Sequence, residues 1–278
     1  MNSSPVKSAI RGVLFLFVTG GLLPLYLIAF PFGRRPRRMF AFPFYRACVS
    51  LTGLALSSNA AEIKGPGTLF VANHVSYLDI PVLATLHDGV FVAKSDVKSW
   101  PLFGFLARIG RTIFVSRRAS GLVRERSEIA SRLANGESVF LFPEGTSSDG
   151  TRVLPFRAAL LSAVQSDDEL PVAVQPVSIA YGPASAEAEA LGQDERDGYA
   201  WYGDMEMAPH LWRLLGFHKR VAVFVQFHQP RMSSEFADHR ALAAWAESVI
   251  SCGLKKALSV GPVQPFEPEY APPVTVSP

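Results

Sequence analysis

Charge is scarce in this chain. Of 278 residues only 18% are Asp, Glu, Lys or Arg, while 49% are hydrophobic. The mean hydropathy of +0.19 is high for a soluble protein, so part of the apolar excess is available to face lipid. Charge of one sign is scarcer still. A net charge of +3 is too small to argue for a nucleic-acid partner. Cysteine is almost absent. Cys48 and Cys252 are spaced neither for a disulfide framework nor for a metal, and they fit a reducing compartment. No Gly-x-Ser-x-Gly stretch occurs, which removes the nucleophile elbow of serine hydrolases. No internal repeat is visible.

What the chain has in excess is an apolar N-terminus. Residues 13–32, "VLFLFVTGGLLPLYLIAFPF", carry no charge. About 20 such residues suffice to cross a bilayer. Lys7 and Arg11 precede the run; Arg34, Arg35, Arg37 and Arg38 follow it. The heavier positive flank on the C-terminal side places the body in the cytoplasm, at the inner membrane of a cell. A cleaved signal peptide fits less well, because arginines stand where small residues would mark the cleavage site. Gly20, Gly21 and Pro24 weaken a straight span, and a second apolar run at 39–56 is broken only by Arg46. One spanning helix and a two-helix hairpin dipping into one leaflet both satisfy this pattern. Residues 1–58 are therefore expected to anchor the protein.

After residue 59 strand and helix signals alternate. Strands are expected at 68–72, 90–93, 112–116, 138–142, 172–179 and 221–227. Helices are expected at 122–134, ending in Asn135-Gly136, and at 155–165 and 241–254. The alternation predicts an α/β fold with a mostly parallel sheet covered by helices, filling residues 59–258. Residues 184–198 read as an exposed insertion. The tail at 259–278 is proline-rich and expected to be disordered.

In open α/β sheets ligands sit beyond the C-terminal ends of the strands. Four expected strand ends carry chemistry there. "TLFVANHVSYLD" ends in His74 and Asp79. "GRTIFVSRR" ends in Arg117. "FPEGTSS" supplies Glu144, Gly145 and Thr146. "LPVAVQP" brackets a strand with Pro171 and Pro176. Lys94 and Arg157 add cations near the same edge. Each piece alone has an ordinary reading: a structural histidine, a turn, a solvated strand end. Their joint order carries the inference.

These four blocks resemble the ordered motifs of the glycerolipid acyltransferase superfamily, most closely bacterial 1-acyl-sn-glycerol-3-phosphate acyltransferases. The likeness runs from about residue 61 to 227, plus the two N-terminal helices. It implies that His74 is the catalytic base and Asp79 its partner. It implies that Arg117 and the block Glu144, Gly145 and Thr146 bind a lysophospholipid acceptor with Lys94 near its phosphate, and Arg157 is a candidate of this chain's own for the same task. It also implies an acyl donor bound to acyl carrier protein or coenzyme A, with no other cofactor. No second histidine lies at ligand spacing from His74, so no metal is expected.

The chemistry agrees. Moving an acyl group from a thioester to an alcohol needs a base for the hydroxyl proton, and neutral imidazole suits that task. Without a nucleophile elbow, direct attack by the alcohol is simpler than an acyl-enzyme. One departure stands out. Many members carry arginine directly after the glutamate-glycine-threonine triplet, and here Ser147 occupies that position. With "WYGDMEMAPHLW", this resembles the branch that includes lyso-ornithine lipid acyltransferases. The expectation remains phosphatidic acid synthesis from 1-acyl-sn-glycerol-3-phosphate, because Lys94, Arg117 and Arg157 still supply cations. Lyso-ornithine lipid acylation is the alternative. A non-catalytic membrane-binding protein and a thioesterase are the competing classes.

Overall fold

The computed structural model describes residues 3–59, 63–65, 67–116, 122–165, 171–184 and 190–260. Arg117 and the tail at 261–278 lie outside the described residues.

Two helices open the chain, α1 (Pro5–Ala29) and α2 (Arg34–Leu51), packed against each other. Ser4 caps α1 by accepting from Lys7 N–H. The helix runs through Gly20 and Gly21 and carries Pro24 inside it. It is the one described helix long and apolar enough to cross a membrane. Its outer surface leaves Val13, Leu16, Phe17 and Ile28 exposed. The arginines at 34, 35, 37, 38 and 46 make α2 too charged to cross in the same way.

Among the described residues the sheet has eight strands: β1 (Leu54–Ser58), β2 (Leu69–Ala72), β3 (Val90–Lys94), β4 (Ile113–Val115), β5 (Val139–Leu141), β6 (Ala173–Pro183), β7 (Val221–Phe227) and β8 (Arg231–Met232). Their order is β1-β7-β6-β2-β5-β3-β4, with β8 beside β6. All pairings are parallel except β6 with β7 and β6 with β8. The six expected strands are present. β1 precedes the expected boundary at 58 and pairs with β7. Its sequence, "LALSS", is too short and mixed to signal a strand by itself.

Side chains alternate strictly across the sheet. Phe70 and Phe140 point to one face, where they stack at 4.9 Å and join a core with α3 (Asp79–Leu86) and α7 (Met207–Leu215). Leu69, Val71, Val139 and Leu141 point to the other, against α5 (Leu122–Ala134) and α8 (His239–Val260). Both faces are therefore covered, which explains the near-continuous apolar strands. Two further short helices are α4 (Phe103–Ile109) and α6 (Gln193–Arg196). The expected helix at 155–165 is a tight 3-10 segment, Ala158–Val164. Within 184–198 the described residues are mostly exposed or half-buried, and only Leu191 and Gly198 among them are buried.

Candidate active site

β2 ends at Ala72, and the next residue explains how the chain leaves the sheet. The buried Asn73 side chain donates to Ile179 C=O at 2.9 Å and accepts from Ile179 N–H at 2.8 Å. It replaces a backbone ladder pair with β6 and frees the chain to turn. His74 follows at the C-terminal edge.

His74 Nδ1 lies 2.7 Å from Asp79 Oδ2. That oxygen also accepts from the N–H groups of Val75 and Ser76, at 2.8 and 3.0 Å. Tyr181 O–H, from β6, donates to Asp79 Oδ1 at 2.7 Å. Asp79 is fully buried at the first turn of α3, where the helix dipole favours an anion. A carboxylate accepting from every side makes Nδ1 the donor. The Nε2 lone pair is then left for a substrate proton. The imidazole stacks on Phe142 at 4.2 Å and remains 19% exposed, so it is both fixed and reachable.

Glu144 lies behind this pair. Its Oε1 accepts the backbone N–H of His74 at 3.0 Å, and Oε2 has no hydrogen-bond partner among the described residues. Burial pushes its carboxyl up to about 8. The sign follows from linkage. The folded form holds a proton that the unfolded chain releases near pH 4.5, so this group's contribution is complete below that pH and lost as pH rises through 8. Glu144→Gln keeps an oxygen for His74 N–H and removes the titration. Its melting temperature relative to the parent should rise steadily between pH 5 and 8; a pH-independent difference would refute the buried-acid account.

Gly145 has φ +65°, a left-handed conformation that suits glycine. A Cβ there would lie 3.2 Å from Arg157 Nε, so the guanidinium packs directly over this glycine. Thr146 is exposed beside it.

A cavity of about 490 Å³ starts at His74 and runs beneath the two N-terminal helices. Lys94, Gly145, Thr146 and Ser147 line it with His74; Glu144 and Arg157 do not. One helical face of α1, with Phe15, Thr19, Leu22, Leu23 and Tyr26 at helical spacing, forms another wall. Such a long apolar chamber suits an acyl chain.

Sequence reasoning missed three parts of the site. Tyr181 reaches Asp79 from 102 residues away. Ser147 donates its hydroxyl to Trp201 C=O, and Trp201 N–H donates to Val75 C=O at 2.9 Å. Tyr77 O–H meets His210 Nδ1 at 2.8 Å, while His210 Nε2 faces Asp197 C=O at 3.2 Å. The sequence signals were Ser147 in place of the usual arginine and the "WYGDMEMAPHLW" block, which contains both Trp201 and His210.

An oriented imidazole at the head of a lipid-sized apolar chamber, on this mostly parallel sheet, defines an acyl-transfer enzyme. Residues 56–180 match the family model described as Acyltransferase. The lyso-ornithine lipid O-acyltransferase of Brucella abortus is 39% identical over 220 residues, covering 77% of this chain and 81% of that protein. The 1-acyl-sn-glycerol-3-phosphate acyltransferase of Neisseria meningitidis is 31% identical over 191 residues, 68% and 70% of the two chains. The crystal structure of the 1-acyl-sn-glycerophosphate acyltransferase of Thermotoga maritima shares the fold, with TM-score 0.62, 22% identity and coverage of 92% of this chain and 99% of that one. The chain belongs to the glycerolipid acyltransferase superfamily.

Proposed function

We propose that the enzyme acylates the free hydroxyl of lyso-ornithine lipid, using a fatty acyl thioester of acyl carrier protein or coenzyme A. The observation that carries the acyl-transfer step is the oriented His74–Asp79 pair opening on the apolar chamber. The acceptor hydroxyl attacks the thioester carbonyl while His74 Nε2 takes its proton. The tetrahedral intermediate collapses, the C–S bond breaks, and the imidazolium returns the proton to the leaving thiolate. Asp79 holds the tautomer and faces the positive charge as it forms. The products are an ester and a free thiol.

Two facts favour the ornithine headgroup over the phosphate expected from the sequence. The lyso-ornithine relatives reach 39% identity, against 31% for the glycerophosphate ones. Ser147 stands in place of the arginine that many members carry. The glycerophosphate acceptor is kept as a second reading because Lys94 lines the cavity and Arg157 sits over Gly145. Lys94, Arg157, Thr146 and Arg117 are proposed to meet the headgroup, and Glu144 to hold the loop. We place the protein at the inner membrane, with α1 and α2 in the cytoplasmic leaflet and the arginines of α2 among lipid headgroups.

The test uses alkaline-washed membranes carrying the full chain, with labelled acyl donor. Activity should stay in the pellet and favour lyso-ornithine lipid over lysophosphatidic acid by roughly tenfold or more. Preference for the phosphate acceptor would promote the second reading. Thioester cleavage without either lipid product would sink acyl transfer, and full activity in the wash would sink the membrane placement.

A further inference from the structure

Tyr77, Trp100 and Trp201 line the cavity together with His74. Trp201 meets Tyr77 edge to face at 5.9 Å and 62°. It meets Trp100 edge to face at 5.5 Å and 83°. Two edge-to-face contacts through Trp201 make a corner rather than a stack, and all three rings are only partly buried. Asp96, exposed in the segment before Trp100, lines the same cavity.

The corner is built in place. Trp201 is pinned at both backbone groups: its N–H donates to Val75 C=O, and its C=O accepts from Ser147. Tyr77 is pinned through His210, whose imidazole is kept below its ordinary range chiefly by burial, and so stays a neutral acceptor. Ser147 therefore does more than vacate a cation position. It anchors an aromatic wall where an arginine would have stood. Trp201 Nε1 is also buried without a hydrogen-bond partner among the described residues. A buried indole donor next to a cavity is a contact waiting for a ligand oxygen.

We propose that Tyr77, Trp100 and Trp201, with Asp96, bind the ammonium group of the acceptor headgroup and so determine acceptor specificity. The inference rests on the lyso-ornithine reading and adds to it the residues that recognise the amine. Aromatic faces carry negative charge density and attract an alkylammonium. The same faces repel a phosphate. Asp96 adds an acidic side chain to the lining of the same cavity. The indole N–H is suited to an oxygen of the same headgroup.

The test compares lyso-ornithine lipid with its side-chain N-acetyl derivative, which keeps the reacting hydroxyl and removes the positive charge. Lysophosphatidic acid is the third acceptor. In purified full-length enzyme, capping the amine should lower kcat/KM roughly tenfold, through the acceptor KM. Trp201→Leu should erase most of that discrimination with donor KM unchanged, and Trp201→Phe should restore part of it. Trp100→Leu gives the same readout should the Trp201 variant fold poorly. Undiminished discrimination in both leucine variants overturns the proposal, as does a parent enzyme that uses lyso-ornithine lipid and its capped form equally. A parent enzyme that uses lysophosphatidic acid alone overturns the acceptor reading itself, and the aromatic corner with it.

Discussion

His74→Ala should abolish acyl transfer while leaving the fold and membrane retention unchanged. General-base assistance is worth about 10² to 10⁴ in rate, and removing the imidazole removes all of it. The side chain makes one hydrogen bond, to Asp79, and one stack, on Phe142. The contacts that shape the loop run through its backbone instead: its N–H to Glu144 and its C=O from Ser148 N–H at 2.9 Å. Alanine keeps both. The check is single-turnover transfer from a labelled thioester, with thermal melting in parallel. Turnover within a few-fold of the parent would remove His74 from the chemistry. A collapse of the melting temperature would assign it to structure.

Asp79→Asn should be nearly as damaging to turnover and should also destabilise the protein. The buried carboxylate accepts four hydrogen bonds, from His74, Val75, Ser76 and Tyr181. An amide supplies one oxygen in place of two and brings an N–H where donors already converge. If that N–H faces His74, the imidazole must accept at Nδ1. Its proton then moves to Nε2, the atom that should be a base. The rate should fall by about 10² to 10⁴. An unsatisfied buried donor costs about 1–3 kcal/mol, so melting should move by several degrees. Tyr181→Phe removes one of the four bonds without touching the tautomer. It should lower stability with a much smaller effect on rate. Equal rate losses in the two variants would contradict the tautomer argument.

Much of this architecture was legible because strand signals are local. The run at 221–227 is present with the expected bounds, and the helix at 122–134 ends at its Asn-Gly signal. β1 was not legible: five residues of modest propensity become a strand only when β7 is beside them. His74 and Asp79 were legible because five residues of spacing bring them together across one turn. Tyr181 was not, because its contact depends on β6 lying next to β2. Ser147 could be seen as a missing cation but not as the anchor of Trp201, 54 residues away. Glu144 was expected to face the acceptor, and in the fold it turns toward the backbone of His74.

Beyond Arg11, α1 carries no charge and is apolar on two sides. Phe15, Thr19, Leu22, Leu23 and Tyr26 face the cavity, while Val13, Leu16, Phe17 and Ile28 face outward. Its start is riveted to the body by Arg11, which donates to the carbonyls of Leu215 and Phe217, and by Ser8, which donates to Trp212 C=O. With the outer side in a bilayer, a single helix would separate the lipid interior from the reaction chamber. Each methylene exposed to water on the way would cost about 0.8 kcal/mol, or roughly 13 kcal/mol for sixteen carbons. A chain that entered sideways past α1 would meet none of that barrier. The enzyme would then draw its lipid from a two-dimensional pool, and its rate would follow the acceptor's mole fraction in the membrane rather than its concentration in the test tube.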